Sequence, residues 1–312
     1  MAILLTGVGY IGAELLGRLL GRGERVVGLD NFYSTPRDAI PRADGFELVE
    51  GDVADPHDVS RAFDRAGDCP LVYHLAAQPS AALAVRDAAY TESANLTGAR
   101  LVLQTARDRG ARVVFGGSFR VYGDELDGQD VSEQTPYGRV GDLSHLSKLY
   151  VEQLGRMLGG RFASVRLGVV YGRSPVMKSD PPLMTVPNLF CQRAAAGQPL
   201  DVLQDRSLAF IHVSDAAEAL VHTADLLGRA VAPAWQVVNA APEVATIGRV
   251  ALTVQQLAAR RGWLVAVRGA GATTATGSFT VQSRLAAAGF RPRRTMVDGL
   301  PDVLDLFAAV AA

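Results

Sequence analysis

The residues with the clearest chemical potential lie around position 148. Only Lys148 and Lys178 are lysines among the 31 basic residues, so a compact ammonium group occurs at just two places. Ser144 comes four residues before Lys148 and would share its face of a helix. The pKa of an aliphatic hydroxyl lies well above the value of about 10 of a phenol, so Ser144 is a weak proton carrier. Lys148 and Ser144 are therefore candidates for an active site whose acid–base group is not evident.

His145 and a bound water molecule are two alternatives to Ser144. The imidazole of His145 titrates close to neutral pH, but it points about 100° away from Ser144 around a helix. A surface or packing role explains His145 better. A water molecule held by Ser144 and Ser118 could also carry the proton.

Tyr137 is the third alternative. One helix joining Tyr137 to Lys148 would separate them by about 16 Å. Gly138 and Gly141 favour a loop instead, and a loop could bring the phenol back towards the lysine. Tyr137 is then either a catalytic residue or a loop aromatic that covers the start of the helix.

A glycine-rich turn near the N-terminus predicts a dinucleotide site. Gly7 permits a tight turn, Gly9 lets the backbone approach a pyrophosphate, and Gly12 allows close packing of helix on strand. The next strand ends in Asp30, whose carboxylate can accept both ribose hydroxyls and would repel a 2′-phosphate. NAD is therefore favoured over NADP, although the nearby Arg37 softens this preference. The motif reads Gly7-Val8-Gly9-Tyr10-Ile11-Gly12.

Composition excludes several classes of function. The formal charge of −1 and pI of about 6.5 give no basic field for nucleic acid or an anionic membrane. No apolar run approaches the length of about 20 residues that a membrane span needs, and no signal peptide is evident. Cys69 and Cys191 form no disulfide framework or metal-ligand spacing. We expect a cytoplasmic protein without a metal.

Apolar runs alternate with helical patterns over the first half of the chain, which predicts a doubly wound parallel α/β (Rossmann) sheet. Past about residue 171 the pattern becomes irregular and rich in proline. We expect an NAD-binding domain over 1–170 and a smaller mixed substrate lobe over 171–312, partly interleaved with the sheet. The predicted strands are 3–5, 25–29, 46–49, 71–75 and 112–115. The predicted helices are 11–20, 55–64, 97–109, 144–158, 189–196, 213–226 and 250–261.

These motifs together resemble the extended short-chain dehydrogenase/reductases, specifically the NAD-dependent epimerase/dehydratase family. Further matches in the family's order are Gly51-Asp52-Val53, His74-Leu75-Ala76-Ala77, Asn95 to Gly98, Val121-Tyr122-Gly123, Phe210 to Asp215, Asn239 and Leu285 to Phe290. The resemblance implies a NAD-dependent enzyme, often a homodimer, with a small-molecule substrate. The cofactor-binding residues that it implies are Gly7, Gly9, Tyr10, Ile11, Gly12, Asp30, Asn31, Asp52, Val53, Leu75, Ala76, Ala77, Asn95 and Lys148.

The resemblance also assigns roles at the reacting end of the cofactor. Ser118 matches the catalytic Ser/Thr and would bind substrate, unless it is only a strand-end serine. Arg120 could hold a carboxylate or phosphate, or be an ordinary exposed arginine. Ser144 stands where the family has its catalytic tyrosine, so Ser118, Lys148, Ser144 and Tyr137 form the candidate catalytic set.

Departures from the family pattern concern the substrate. Nucleotide-sugar enzymes usually carry Asn at the position of Val169 and Arg-Asp at those of Leu208 and Ala209, whereas Arg206 comes two residues too early. We therefore expect epimerisation or elimination on a small hydroxylated or acylated metabolite rather than on a standard nucleotide sugar. The alternatives are a nucleotide-sugar epimerase/dehydratase and a non-catalytic NAD-binding sensor.

Overall fold

A computed structural model describes residues 1–231, 234–269 and 278–311. Its strands are β1 (Ile3–Thr6), β2 (Val26–Asp30), β3 (Phe46–Glu50), β4 (Leu71–His74), β5 (Arg112–Ser118), β6 (Asp130–Val131), β7 (Arg161–Leu167), β8 (Val169–Tyr171), β9 (Leu200–Asp201), β10 (Ser207–His212), β11 (Ala234–Ala240), β12 (Glu243–Thr246), β13 (Val267–Arg268) and β14 (Thr280–Val281). Its helices are α1 (Tyr10–Gly21), α2 (Pro56–Ala66), α3 (Ala81–Arg86), α4 (Ala88–Glu92), α5 (Ala99–Asp108), α6 (Leu143–Leu158), α7 (Val186–Ala195), α8 (Val213–Arg229), α9 (Ile247–Ala259), α10 (Arg284–Ala287) and α11 (Met296–Ala311).

The large sheet has seven strands in the order β11-β7-β5-β4-β1-β2-β3. All its pairings are parallel. The prediction of a doubly wound parallel sheet is confirmed. β1 lies near the middle, so its carboxyl end opens onto the crevice where such sheets bind their ligands.

Both faces of the sheet are covered, which explains the continuous apolar runs of its central strands. Leu5 packs with α1 and α8 on one face, whereas Leu4 packs with α2 and α5 on the other. Successive side chains of a strand point to opposite faces, so both residues are fully buried. The sheet edge is thus fixed between two packed helical layers.

A second, smaller layer follows β7. Gly168 alone separates β7 from β8, and β8 pairs with β10 in a three-stranded sheet. A Cβ atom on Gly168 would lie 2.7 Å from the carbonyl oxygen of Ala209, so the crossing needs glycine. α7, α9 and α11 supply the apolar core of this layer. Across the described ranges, no helix is long and apolar enough to cross a bilayer.

Candidate cofactor and active site

The glycine turn after β1 has the geometry of a phosphate-binding loop. Gly7 has a φ of +82°, and a Cβ atom there would lie 2.5 Å from the backbone nitrogen of Ala76. A Cβ atom on Gly12 would overlap the carbonyl oxygen of Gly7. α1 begins directly after Gly9, with neither a side-chain cap nor an acidic residue in its first turn. Its N-terminal N–H groups can therefore bind an anion, which fits a pyrophosphate.

Asp30 lies at the carboxyl end of β2, beside this loop. Its carboxylate accepts hydrogen bonds from the backbone N–H groups of Val8 (2.7 Å) and Phe32 (2.8 Å). Burial raises the pKa of Asp30, while those two bonds and the charge of Lys178 oppose the rise. Each oxygen keeps a second lone pair, so the carboxylate can still accept from the ribose hydroxyls.

An aromatic pair lines the cavity near Asp30. The rings of Tyr33 and Tyr90 stack with centroids 4.0 Å apart, and both residues line the cavity. The amide of Asn31 donates to the Tyr90 hydroxyl and to Asp52. Asp52 faces Asn31 and the backbone of Ala54 and does not line the cavity. Sequence reasoning missed both tyrosines because their contact joins the loop after β2 to the distant helix α4.

Asn95 was also predicted to bind the cofactor, but its side chain bonds other residues of the protein. It is buried, and its amide group bonds both backbone groups of Gln78 and the hydroxyl of Ser147. It is not among the residues that line the cavity, whereas Leu75, Ala76 and Ala77 are. Asn95 therefore braces the loop after β4 against α6.

Lys148 and Ser118 line the same cavity. The Lys148 ammonium donates to the carbonyl oxygen of Gly116 at 3.0 Å and lies 4.8 Å from the centroid of Phe115. Burial lowers the pKa of Lys148 to about 8. The Ser118 hydroxyl accepts a bond from the backbone N–H of Arg120 at 3.2 Å, so its own proton remains available to a ligand.

Ser144 lines the cavity but has a local partner. It is 2% exposed, and its hydroxyl donates to the carbonyl oxygen of Gln78 at 3.3 Å. The next residue, His145, also lines the cavity. Its Nδ1 atom lies 2.6 Å from a carboxylate oxygen of Asp142. The serine is thus engaged with backbone, while the imidazole is held by a carboxylate.

Tyr137 lies outside the set of residues that line this cavity. The loop does fold back, but the phenol bonds Glu152 at 3.0 Å and Gln153 at 2.8 Å. Glu152 is 0% exposed and forms an ion pair with Arg166, which is 2% exposed. The interpretation of Tyr137 as a catalytic residue therefore has no geometric support, and the alternative of a loop aromatic over α6 fits the contacts.

The substrate end combines a charged cluster with an apolar wall. Asp124 and Arg120 line the cavity, and Asp124 pairs with both Arg120 (2.9 Å) and Arg206 (3.1 Å). Arg206 is thus brought to this end although it comes two residues before the family's position. The apolar residues that line the wall are Leu126, Val169, Leu183, Met184, Leu208, Ala209 and Phe279.

Lys178 was not predicted to belong to the site, yet it lines the same cavity. Burial lowers its pKa to about 8, and the negative charge of Asp30 partly offsets that effect. The only signal in the sequence was that both lysines had been retained in an arginine-rich chain. The described residues contain no group of three or more side chains suited to hold a metal ion.

The curated proteins that this chain resembles include UDP-glucuronic acid decarboxylases and UDP-glucose 4-epimerases. UDP-glucuronic acid decarboxylase 1 of Arabidopsis thaliana is 28% identical over 70% of this chain and 50% of that protein. UDP-glucose 4-epimerase of Erwinia amylovora is 33% identical over 50% of this chain and 48% of that protein. This chain thus spans about half the length of the curated relatives it matches.

A solved structure matches nearly the whole chain. The UDP-glucose 4-epimerase of Thermus thermophilus, in complex with NAD, has a TM-score of 0.81 and 27% identity, covering 98% of this chain and 99% of that one. The sequence profile of the NAD-dependent epimerase/dehydratase family matches residues 3–237, well over half of the chain. The predictions of the family and of NAD as cofactor are confirmed, and this chain belongs to the NAD-dependent epimerase/dehydratase family.

Proposed function

We propose that this chain is an enzyme that uses NAD to oxidise a carbinol carbon of a nucleotide sugar transiently. The curated relatives are UDP-glucose 4-epimerases and UDP-glucuronic acid decarboxylases, which favours this substrate class. The sequence had favoured a different metabolite because of Val169, Leu208 and Ala209. Those residues do line the cavity, but the relatives outweigh that signal. The sensor alternative has no support among these relatives, all of which are enzymes.

One observation carries the proposal: a single cavity joins the phosphate loop to the charged residues Arg120 and Asp124, which follow β5. It is lined by Gly9 and Asp30, by Lys148 and Ser118, and by Asp124. A dinucleotide and a substrate would therefore meet at Lys148. Bound NAD supplies the hydride acceptor.

The charged cluster supports an anionic substrate. Two guanidinium groups, from Arg120 and Arg206, share the one carboxylate of Asp124, which leaves a net charge of +1 (two positive, one negative). Guanidinium forks match phosphate oxygens well. A diphosphate could bind both arginines without the arginine that the family has before β10.

The remaining residues divide the work at the reacting carbon. Ser118 donates its hydroxyl proton to the reacting oxygen, and Lys148 binds the cofactor's ribose while its charge favours removal of a proton nearby. Ser144 stays bonded to Gln78 and shapes the wall.

The division of the chain at residue 170 and a homodimeric assembly remain parts of this proposal. Limited proteolysis tests the division, and light scattering tests the assembly.

The experiment is incubation of the NAD-loaded protein with UDP-glucose and UDP-glucuronic acid, with UDP and free glucose as controls. We expect new sugar signals by NMR and a transient absorbance of reduced nicotinamide. Calorimetry should show that UDP binds and that free glucose does not. Failure of UDP and of both UDP-sugars to bind would overturn the assignment.

A small hydroxylated or acylated metabolite is the second candidate, and the apolar wall around Val169 and Leu208 favours it. It predicts that UDP neither binds nor competes, while an acylated hydroxy compound without a nucleotide produces the nicotinamide transient. The same two measurements therefore separate the candidates.

A further inference from the structure

We propose that His145 is the proton-transfer residue of this active site and that Asp142 orients it. The inference rests on the proposed function, because it assigns the group that takes the hydroxyl proton during carbinol oxidation. It replaces the expectation that His145 is a surface or packing residue. Four observations lead to it.

The first observation is the local geometry at the start of α6. Asp142 is the N-cap, and one of its oxygens accepts the backbone N–H of His145 at 3.0 Å. Its other oxygen lies 2.6 Å from Nδ1 of His145. A carboxylate can only accept, so Nδ1 carries the proton and Nε2 of the neutral ring has a free lone pair. One aspartate thus fixes both the position and the tautomer of the imidazole.

The second observation is location. His145 lines the cavity that Ser118 and Lys148 also line, and its side chain is 20% exposed. Nε2 makes no hydrogen bond within the described ranges, whereas Nδ1 is paired with Asp142. Nε2 is therefore the ring nitrogen that remains available to bond a ligand.

The third observation is that the rival groups are engaged elsewhere. The Ser144 hydroxyl donates to Gln78, and the Tyr137 phenol contacts Glu152 and Gln153 outside the cavity. Tyr10 lines the cavity, but its hydroxyl donates to the carbonyl oxygen of Gly172. Compared with these groups, the imidazole of His145 keeps one ring nitrogen without a hydrogen bond within the described ranges.

The fourth observation is the charge around the ring. Asp142 contacts it from the N-cap, Lys148 lies on the next turn of α6, and Arg120 and Asp124, from the segment after β5, line the same cavity. Burial opposes ionisation of Asp142, but the bonds and charge of His145 hold the pKa of that carboxyl below its usual range. Asp142 stays ionised and stabilises the imidazolium, while Lys148 and Arg120 favour return of the proton.

The carbinol C–H bond breaks and its hydride passes to the nicotinamide of NAD, the oxidant. The O–H bond breaks, its electron pair forms the carbonyl, and the proton passes to Nε2 of His145. On reduction the hydride returns to carbon and Nε2 returns the proton to oxygen.

His145→Gln tests the assignment, with the exposed His57→Gln as the matched control. We expect His145→Gln to lower kcat about 10²–10⁴-fold, with the Kd for NAD within about twofold of the unmutated protein by calorimetry. His57→Gln should change neither. A His145→Gln protein that folds, binds NAD and keeps full kcat would overturn the proposal.

Adding Ser144→Tyr to His145→Gln distinguishes a catalytic from a structural role. A phenol four residues before Lys148 supplies a new proton carrier on the lysine's helix face. We expect at least tenfold recovery of kcat and an activity profile that shifts towards higher pH. No recovery in a folded double variant that binds NAD would count against proton transfer by His145.

A readout without turnover separates this inference from the proposed function. In ¹⁵N NMR of the protein without substrate, His145 should show the Nδ1–H tautomer, and Asp142→Asn should lower its pKa. If no nucleotide sugar reacts but these signals appear, the substrate assignment fails and the dyad stands. If Asp142→Asn leaves the tautomer and the pKa unchanged, the dyad is wrong.

Discussion

Lys148 illustrates how one side chain can serve cofactor and chemistry together. Its ammonium is held by the carbonyl oxygen of Gly116 and by the face of Phe115. We expect Lys148→Met to keep the packing of the stem, to weaken NAD binding at least tenfold and to reduce kcat. Fluorescence titration with NAD and steady-state kinetics measure both effects. Equal NAD affinity in the variant would mean that Lys148 does not contact the cofactor.

Lys178 is the second residue whose substitution should change cofactor binding. Its charge faces Asp30 across the cavity, so it can attract a phosphate that Asp30 alone would repel. We expect Lys178→Met to weaken NADP binding more than NAD binding in parallel calorimetric titrations. Equal losses of affinity for NAD and NADP would mean that Lys178 contacts only the pyrophosphate that both share. No loss of affinity would mean that Lys178 contacts neither cofactor.

The sequence alone predicted those site residues that lie next to a predicted strand or in a predicted helix. The glycines around Gly9, the segment Leu75 to Ala77 and Lys148 line the cavity because each lies at a strand end or helix start whose position follows from the alternation. Tyr90 of α4 and Lys178 of the loop after β8 were missed because segments far from the motifs bring them to the cavity. Tyr137 was considered because its loop folds back, but the direction of the phenol depends on Glu152.

At the scale of elements, α6 is fixed to the sheet by a buried ion pair. Glu152 of α6 binds Arg166 of β7, and Arg166 also donates to the hydroxyl of Tyr122. This pair also explains why β7 was not recognised as a strand. A buried arginine interrupts the apolar run by which parallel strands are recognised.

We expect Glu152→Gln to lower the free energy of unfolding by about 3–5 kcal/mol, because it leaves the buried Arg166 without a counter-charge.

Tyr137→Phe should lower the free energy of unfolding by about 1 kcal/mol and leave kcat nearly unchanged, since only one hydrogen-bonding group is lost. Urea denaturation measures the free energy of unfolding of both variants. The exposed pair of Asp64 with Arg109 provides the control, and Asp64→Asn should cost about 1 kcal/mol or less. Loss of turnover in Tyr137→Phe would return the phenol to the catalytic set.

The seven predicted helices agree with α1, α2 and α5 to α9 to within three residues at each end, whereas α3, α4, α10 and α11 were not predicted. The predicted helix 97–109 begins inside a π-helical segment, Ser93–Gly98, that precedes α5. The spacing of apolar residues that predicts an α-helix does not reveal the wider turn of a π-helix. A Cβ atom on Gly98 would lie 2.6 Å from the side chain of Val53, which gives this glycine a packing reason.

For the whole molecule, buried histidines predict sensitivity to acid. Burial lowers the pKa of His74 to about 3 and of His212 to about 4, from the ordinary value of 6.5. The unfolded chain therefore binds more protons than the folded chain below pH 6.5, so stability is full above that pH and falls as the pH drops towards 4. Each pKa unit of difference is worth about 1.4 kcal/mol.

Thermal unfolding followed from pH 8 to pH 4 checks this prediction. The Tm should be flat above pH 7 and should fall steeply below 6.5. His74→Gln should be less stable at pH 8 but less dependent on pH, whereas His57→Gln should follow the unmutated curve. A Tm that stays constant down to pH 4 would show that the buried imidazoles do not control acid stability.

The overall architecture was readable from the first half of the sequence because each strand–helix repeat specifies a right-handed parallel crossover. The second half was not, since β11 returns to the large sheet while β8 and β10 form a separate one. Those pairings join residues far apart in sequence. The position of Arg206 beside Asp124 follows from them and from nothing in the local pattern.

The scarcity of lysine has a practical consequence for labelling. Apart from the α-amino group, the primary amines of this chain are those of Lys148 and Lys178, and both line one cavity with pKa values of about 8. An acylating reagent at mildly alkaline pH should therefore react where the dinucleotide binds. Protection of the two lysines by NAD, counted by mass spectrometry of their peptides, would measure occupancy directly.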